Sequence, residues 1–262
     1  MTAKKVYAVY FSPTKGSETY VKEIAKHLSA DYEEINLTVP ANRAKEYRFN
    51  SEELVILGAP VYAGRLPQIA GGIFDCLKGS QTPAVFTVSY GNREFDDALL
   101  EEMEICEANG FKGIAAGAWI APHTFSDKIA ANRPAQRDLK KAEEFAAAIK
   151  RILENDTWKD AKLTVPGNHP YKEAKVIPFY PAGNENCGGC KKCVDVCPTG
   201  AICAENIKET DTTKCIACLA CVKNCPSNGR AVAAPAFAAS VAGLEERLIS
   251  PEKEAAVFLI TD

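Results

Sequence analysis

The chain has 262 residues, of which 47% are hydrophobic and 25% charged, as is ordinary for a water-soluble globular protein. A net charge of −3 argues against nucleic acid and anionic membranes as main partners. No apolar run approaches the roughly 20 residues of a membrane span, and the short apolar N-terminal stretch runs into Ser12 and Pro13, which argues against a signal peptide. We therefore expect a cytoplasmic protein, in which thiols stay reduced.

The first 155 residues alternate between strand and helix patterns. Apolar and β-branched runs predict strands at residues 5–11, 32–37, 54–59, 84–89 and 112–120. Helical spacing of apolar residues predicts helices at residues 17–28, 69–77, 96–108 and 139–153. Such alternation predicts an α/β fold with a doubly wound, five-stranded parallel sheet over residues 1–155.

The remaining residues divide into three predicted segments. Residues 156–182 contain four prolines and little periodicity, which indicates a linker packed on the first domain. Residues 183–232 are rich in cysteine and predict a small α+β domain. Residues 233–262 show a helical pattern near 237–248 and end in an apolar run, so we expect this tail to dock back onto a domain.

Nine of the eleven cysteines lie between residues 187 and 225, and such local density in a reducing compartment indicates metal rather than disulfides. Eight of the nine form two runs of the same spacing, C-x2-C-x2-C-x3-C-P, which start 28 residues apart. The first run is Cys187, Cys190, Cys193 and Cys197, and the second is Cys215, Cys218, Cys221 and Cys225. The other three cysteines, Cys76, Cys106 and Cys203, are interpreted as small buried apolar residues.

This spacing is that of the bacterial ferredoxin with two [4Fe-4S] clusters, in which the fourth cysteine of each run ligates the other cluster. One cluster is therefore predicted on Cys187, Cys190, Cys193 and Cys225, and the other on Cys215, Cys218, Cys221 and Cys197. Thiolates suit iron–sulfur clusters because they are soft, anionic ligands. The alternative is a pair of zinc sites, although zinc usually takes two separated CxxC pairs.

A hydroxyl-rich loop joins the first predicted strand to the first helix. It is neither a Walker loop nor a GxGxxG turn, which argues against direct use of NAD(P)H. Ser12, Thr14, Ser17 and Thr19, together with the free N–H groups of a helix N-terminus, predict an anion site. The alternative is ordinary helix capping by the same residue types.

The loop resembles the FMN-phosphate loop of flavodoxins, whose pattern is [T/S]-x-T-G-x-T. Ser12 and Thr14 match, Ser17 replaces the final Thr, and Lys15 stands at the Gly position, with Gly16 one place later. Residues 58–67 and 89–93 resemble the two flavodoxin loops that contact the flavin ring.

Together with the cysteine runs, this makes nearly the whole chain similar to flavodoxin–ferredoxin fusion proteins of anaerobic bacteria and archaea. The resemblance implies FMN as a cofactor beside the two clusters. It also implies the cofactor-binding residues Ser12, Thr14, Lys15, Gly16, Ser17, Pro60, Val61, Tyr62, Ala63, Gly64, Ser89, Tyr90, Gly91 and Asn92.

Several side chains near these loops have two interpretations each. Tyr62 and Tyr90 either flank the flavin ring or pack in the ordinary way. Arg65 and Arg93 either neutralise a reduced flavin or are solvated. His123, in the loop after the last predicted parallel strand, either approaches the flavin or is structural.

The sequence therefore favours an electron-transfer flavo-iron–sulfur protein that passes single electrons through two clusters to or from FMN. One alternative is an FMN-dependent reductase of a quinone or nitro compound. Another, which Lys15 leaves open, is a ferredoxin with a flavin-free docking domain. No catalytic residue is predicted, because no Ser/His/Asp or paired-carboxylate signature is present. The expected partners are redox proteins.

Overall fold

The computed structural model of the chain describes residues 3–155 and 157–260. The predicted segment limits at residues 1, 156 and 262 lie outside the described residues. These limits, and the limits between the linker, the cysteine-rich part and the tail, remain predictions. None of the helices within the described ranges is long and apolar enough to cross a membrane.

The strands and helices have the following bounds in chain order. The strands are β1 (Lys5–Tyr10), β2 (Glu33–Asn36), β3 (Tyr47–Arg48), β4 (Glu53–Pro60), β5 (Leu77–Lys78), β6 (Thr82–Tyr90), β7 (Phe111–Ile120), β8 (Ala182–Gly183), β9 (Arg230–Ala231) and β10 (Ala256–Leu259). The helices are α1 (Gly16–Leu28), α2 (Pro40–Arg43), α3 (Ala98–Ala108), α4 (Gln136–Asn155), α5 (Lys192–Asp195), α6 (Ala220–Lys223) and α7 (Pro235–Leu248). A 3₁₀ turn (Thr157–Lys159) follows α4.

One six-stranded sheet, in the order β10-β7-β6-β4-β1-β2, determines the fold class. Five of these strands run parallel to one another: β7, β6, β4, β1 and β2. This succession, with the first strand second from one edge, is the flavodoxin-like order of doubly wound sheets. Helices α1 and α4 cover one face and α3 covers the other, so the central strands are buried on both sides. The predicted parallel α/β sheet is therefore confirmed.

The sheet has one strand more than the five predicted. β10, from the tail, pairs antiparallel with β7 and forms a new edge. Phe258 packs on the core, whereas Val257 and Leu259 are exposed, as expected for an edge strand with one face on the core. The sequence shows only a short apolar run here, and nothing local identifies its partner strand.

The helix predicted at residues 69–77 is wrong. Residues 69–76 form turns and bends, and Leu77 begins β5, which pairs with β3. Gly71 and Gly72 have φ angles of 77° and 66°, a left-handed conformation that a right-handed helix excludes. The two consecutive glycines are the signal that outweighs the helical spacing of the apolar residues.

Asn92, predicted to bind the cofactor, has a side chain that holds the C-terminal segment. Its side chain is 2% exposed, and its amide donates to the carbonyl oxygens of Leu248 (2.7 Å) and Pro251 (3.1 Å). Its carbonyl oxygen accepts from the N–H of Lys253 (2.7 Å). Asn92 has a φ of 59°, a conformation that Asn tolerates better than most residues. The tail thus occupies three of the four hydrogen-bonding positions of the amide, and a role of Asn92 in cofactor binding stays a prediction.

Residues 161–181, all of them described, contain no helix or strand but are fastened to the sheet domain. The carboxylate of Asp97 accepts from the backbone N–H of Asn168 (2.9 Å), from the Asn168 side chain (3.0 Å) and from the N–H of Lys172 (2.6 Å). Arg65 donates to the carbonyl oxygen of Lys172 at 2.6 Å. Because Asp97 is only 1% exposed, water competes little for these bonds.

We expect Asn92→Ala to lower the free energy of unfolding by about 2–4 kcal/mol, because two carbonyl groups and one N–H lose a buried partner. Urea denaturation at matched cofactor content measures this change. Asn206→Ala, at an exposed position, is the control and should stay within about 0.5 kcal/mol of the wild type. Equal stability of the two variants would contradict the role assigned to Asn92.

Candidate functional site

A cleft with a cavity volume of about 200 Å³ opens at the carboxyl ends of the parallel strands. This is the edge at which doubly wound sheets hold ligands. All the predicted cofactor-binding residues except Lys15 and Asn92 line the cleft: Ser12, Thr14, Gly16, Ser17, Pro60, Val61, Tyr62, Ala63, Gly64, Ser89, Tyr90 and Gly91.

The hydroxyl-rich loop lies at one end of the cleft, where α1 begins. The Ser12 hydroxyl accepts from the backbone N–H of Glu18 at 3.0 Å, and the Ser17 and Ser89 hydroxyls are 2.7 Å apart. A Cβ on Gly16 would lie 2.9 Å from the Cβ of Ala121, so only glycine lets α1 begin this close to the loop after β7. The helix N-terminus therefore faces the cleft with hydroxyl groups around it, an arrangement suited to an anion.

Lys15 does not line the cleft, and its place among the cofactor-binding residues stays a prediction. Its φ is 70°, a left-handed conformation that costs a non-glycine residue about 1–2 kcal/mol. Its carbonyl accepts from the N–H of Thr19 at 3.0 Å, and its side chain is exposed. The backbone thus keeps the conformation that glycine favours in the resembling pattern, while the lysine side chain faces solvent.

A tight turn after β4 forms another wall of the cleft. The N–H of Tyr62 donates to the carbonyl of Arg65 (2.9 Å), and the N–H of Arg65 donates back (3.1 Å). Ala63 and Gly64, at the tip, have φ angles of 53° and 93°. A Cβ on Gly64 would lie 2.1 Å from the Asp96 carboxylate, so the turn requires glycine there.

Arg65 does not line the cleft, and its guanidinium is already paired. It forms two hydrogen bonds of 2.8 Å with the carboxylate of Glu101 in α3, and it lies 4.7 Å from the centre of the Tyr171 ring. Its side chain is 14% exposed, so neither predicted role applies: it fastens the turn to α3 and to the linker. Arg93 lines the cleft and is paired with Asp96.

His123 lines the cleft as a neutral, half-buried imidazole. Its Nδ1 accepts from the backbone N–H of Phe125 at 3.1 Å, which leaves the ring proton on Nε2. Burial, with smaller contributions from Lys223 and Arg93, lowers the pKa of His123 to about 4. A Cβ on Gly91 would lie 2.5 Å from the imidazole Cδ2 and 2.7 Å from Cα, so the two loops are in direct contact.

A second, smaller cavity lies within the cysteine-rich part. Four cysteines line it, and we call them the inner set: Cys197, Cys215, Cys218 and Cys221. The chain thus brings the fourth cysteine of the first run beside three of the second. Burial raises the pKa of the Cys218 thiol to about 12, so a thiolate at this position needs positive charge nearby.

The other four cysteines, Cys187, Cys190, Cys193 and Cys225, form the outer set. Gly229 connects the two ends of this set: its N–H donates to the Cys225 sulfur at 3.1 Å, and a Cβ on it would lie 2.7 Å from the Cα of Cys187. Cys190 is exposed, Cys187 and Cys225 are half-buried and Cys193 is buried, whereas two members of the inner set are half-buried and two are buried. The exposed cysteine of the two runs therefore belongs to the outer set.

The two cysteine runs repeat the same local structure. Lys191 and Leu219, at equivalent positions, have φ angles of 60° and 55° and immediately precede α5 and α6. The sulfur of Cys197 accepts a hydrogen bond from the N–H of Ala201, four positions later, at 3.2 Å. The sulfur of Cys225 accepts in the same way from the N–H of Gly229, also four positions later. N–H donors aimed at sulfur stabilise negative charge there.

Arg230 supplies a buried positive charge between the two sets. It is 2% exposed and donates to the carbonyl oxygens of Pro181 (2.8 Å) and Ile207 (2.5 Å). Its charge acts on Cys193 of the outer set and on Cys221 of the inner set, lowering the pKa of both thiols against the larger effect of burial. This arrangement suits anionic groups at both sets.

The donor sets fit iron–sulfur clusters better than zinc. Within the described residues, no group of three or more His, Cys, Asp or Glu side chains is arranged to hold a single metal ion. Zinc would need its ligands within about 2.3 Å of one point. A [4Fe-4S] cluster binds each thiolate to a different iron, so four cysteines spread around a small cavity suit it.

The cysteines outside the two runs differ in exposure. Cys106 is buried and Cys76 is half-buried, but Cys203 is exposed, which corrects its predicted burial. The Cys203 thiol donates to the carboxylate of Glu205 at 2.5 Å. The cysteine-rich part has too small a core to bury this loop residue.

The inner set lies against the cleft. Ala217, between Cys215 and Cys218, forms part of the cleft wall, and its neighbour Ile216 packs on the hydrophobic core of the sheet domain. From the other side, Tyr62 lies in the same wall. Burial, followed by the neighbouring Cys218 and Cys215, holds the pKa of Tyr62 well above its usual value.

Some residues that line the cleft were not among the predicted cofactor-binding residues: Pro13, Glu94, Ala121, Pro122, Thr124, Phe125, Ile177, Ala217 and Leu244. Residues 121–125 follow the last parallel strand, so the rule that ligands bind at strand ends was a usable signal for them. Ile177, Ala217 and Leu244 come from the linker, the cysteine-rich part and α7. No local pattern marks these three residues.

Residues 182–231 match the family described as 4Fe-4S dicluster domain. A curated relative, a subunit of the ion-translocating oxidoreductase complex of Methanosarcina acetivorans, is 56% identical over 41 residues, which are 15% of this chain. The chain spans only 16% of the length of that relative. The C-terminal part is therefore a dicluster domain, and it gives the chain a role in electron transfer.

Solved structures resemble the N-terminal part at low identity. A flavodoxin from the domain Archaea has a TM-score of 0.39 and 11% identity, covering 57% of this chain and 99% of its own. Oxidised flavodoxin 2 from Bacillus cereus has a TM-score of 0.40 and 16% identity, covering 56% and 98%. The Flv1 flavodiiron core from Synechocystis has a TM-score of 0.39 and 17% identity, covering 59% and 37%. Independently of these scores, the strand order identifies a flavodoxin-like fold joined to a dicluster domain.

We expect Gly91→Ala to destabilise the chain by about 2 kcal/mol or more, because the new methyl group would overlap the His123 ring and backbone. Thermal unfolding of both chains under the same anaerobic conditions measures the effect. Gly243→Ala is the matched control: it lies within α7 with no atom near the added methyl group, and it should stabilise by up to about 1 kcal/mol. A Gly91→Ala chain as stable as this control would show that the contact is not close.

Proposed function

We propose that the chain is an electron-transfer flavo-iron–sulfur protein that holds two [4Fe-4S] clusters on its two cysteine sets and FMN in its cleft, and passes single electrons between them. Ala217 carries the proposal, because one short loop belongs both to the inner set and to the cleft wall. When bound, a cluster exchanges one electron at a time, whereas a flavin exchanges one or two. The chain would thereby connect one-electron and two-electron partners.

The ligands of each cluster would be the four cysteines of one set. The inner set combines Cys197 with the second run, and the outer set combines Cys225 with the first. The buried guanidinium of Arg230 would offset negative charge at both sets. The N–H donors to Cys197 and Cys225 would act in the same direction.

The phosphate of FMN would bind at the N-terminus of α1. The Ser12, Thr14 and Ser17 side chains line this end of the cleft and offer hydroxyl donors without requiring a cation. The contact between Ser17 and Ser89 orients two of the hydroxyls toward each other before any ligand binds. The left-handed backbone of Lys15 supports the proposal, because the loop keeps its turn although glycine is replaced.

The flavin ring would lie between the two other loops. Tyr62 and Tyr90 offer aromatic faces, and Gly91 lets the backbone approach the ring edge. The neutral imidazole of His123 carries a proton on Nε2 in the same wall and stays uncharged at physiological pH. These residues would orient the ring and keep water away from it.

Electrons would enter or leave at the outer set. Cys190 is exposed and its neighbours Lys191 and Lys192 are exposed, so a redox protein can approach this surface. The inner set, in contrast, has no exposed cysteine. This difference in exposure supports an external partner at the outer set, with the cleft at the other end of the path.

Iron and flavin analysis of anaerobically purified protein tests the proposal. We expect about eight irons and one FMN per chain, with visible absorption from both. About eight irons without flavin, even after incubation with FMN, would contradict the proposal and favour the flavin-free docking alternative. Steady-state reduction of a quinone or nitro compound would favour the reductase alternative.

Changing Cys197 to alanine should damage the cluster of the inner set, because the first run supplies its fourth ligand. Electron paramagnetic resonance of the reduced protein, with iron analysis, measures which cluster is lost. Cys203→Ala is the matched control, since Cys203 is exposed and belongs to neither set, and both clusters should remain. Loss confined to the outer cluster in Cys197→Ala would contradict the crossed ligation.

A further inference from the structure

The Tyr62 hydroxyl is a buried polar group to which the proposed function gives no partner. It is shielded from solvent, and none of the described residues forms a hydrogen bond with it. Buried hydroxyl groups in native proteins are almost always hydrogen-bonded, because an unpaired one has lost its water without compensation. The orphaned hydroxyl therefore indicates a group that binds beside it.

Several hydrogen bonds hold the backbone around Tyr62. Its backbone is paired twice with Arg65 across the tight turn, and the N–H of Val61 donates to the carbonyl of Ser89 at 2.9 Å. The Arg65 guanidinium is in turn held by Glu101. These bonds fix the backbone from which the tyrosine side chain extends.

The groups beside the hydroxyl identify the side from which a partner would come. The ionisable side chains that act on Tyr62 are Cys218 and Cys215, both members of the inner set. Ala217, the residue between Cys215 and Cys218, lines the same cleft as Tyr62. The inner set therefore supplies the neighbouring part of the wall in which the hydroxyl is buried.

We propose that the Tyr62 hydroxyl donates a hydrogen bond to a sulfur atom at the Cys215–Cys218 side of the inner cluster, and that this bond raises the reduction potential of that cluster. The inference rests on the proposed function, because it requires a cluster on the inner set. A hydrogen bond to sulfur stabilises the reduced form, which carries more negative charge. Tyr62 is then a positioning residue that borders both the cluster and the cleft.

The test is a redox titration of the full-length, cluster-loaded protein, followed by electron paramagnetic resonance. We expect Tyr62→Phe to shift the reduction equilibrium of the inner cluster about tenfold toward the oxidised form, equal to ~59 mV for one electron. The outer cluster should be unchanged. The signal of the inner cluster is assigned by its loss in Cys197→Ala. Tyr10→Phe is the matched control, since its hydroxyl bonds to Glu34, and it should shift neither cluster.

The outcomes separate this inference from the proposed function. A wild-type protein without two clusters would overturn both. The inference alone would be overturned if both clusters assemble in Tyr62→Phe and the reduction equilibrium of the inner cluster stays within about twofold of the wild-type value. An equal shift of both clusters would also overturn it. If Tyr62→Phe fails to assemble the inner cluster, 3-fluorotyrosine at position 62 replaces it. This stronger donor should raise the potential of the inner cluster, and a fall or no change would overturn the inference.

Discussion

Ala217, in the loop between Cys215 and Cys218, lines the same cleft as Tyr62, in the turn after β4, and the relation between the two halves of the chain depends on this arrangement. Ala217 completes the wall of a cleft that the sheet domain leaves open at its strand ends. Cys218 and Cys221 of the inner set are buried, whereas Cys190 of the outer set is exposed. One interface therefore determines which cysteines face the cleft and which face a partner.

A network of buried charges holds that interface in place. Arg65 joins the turn to Glu101 in α3 and to the linker carbonyl of Lys172, while Asp97 accepts from the backbone N–H groups of the same Lys172 and of Asn168. Because these groups are largely shielded from water, their hydrogen bonds are stronger than surface ion pairs. The linker is thus a structural strap along the sheet domain, and it delivers the cysteine-rich part to one position.

Local patterns in the sequence predicted the features that depend on local geometry. The parallel strands, the helices α1, α3 and α4, and the two cysteine runs all have signals within about 20 residues. The helix predicted at residues 69–77 failed because two left-handed glycines outweigh apolar spacing. The sixth strand, the role of Asn92 and the place of Ala217 in the cleft join residues more than 100 positions apart. Such contacts arise from tertiary packing, and no local pattern encodes them.

The central claim is that the clusters and the flavin exchange electrons within one chain. Single-turnover kinetics test it most directly: the clusters are reduced rapidly by a photochemical donor, and flavin absorbance is followed at several protein concentrations. If the inner set borders the flavin cleft as described, flavin reduction will follow cluster reduction at a rate independent of protein concentration. A rate proportional to protein concentration would show transfer between molecules and would contradict the account.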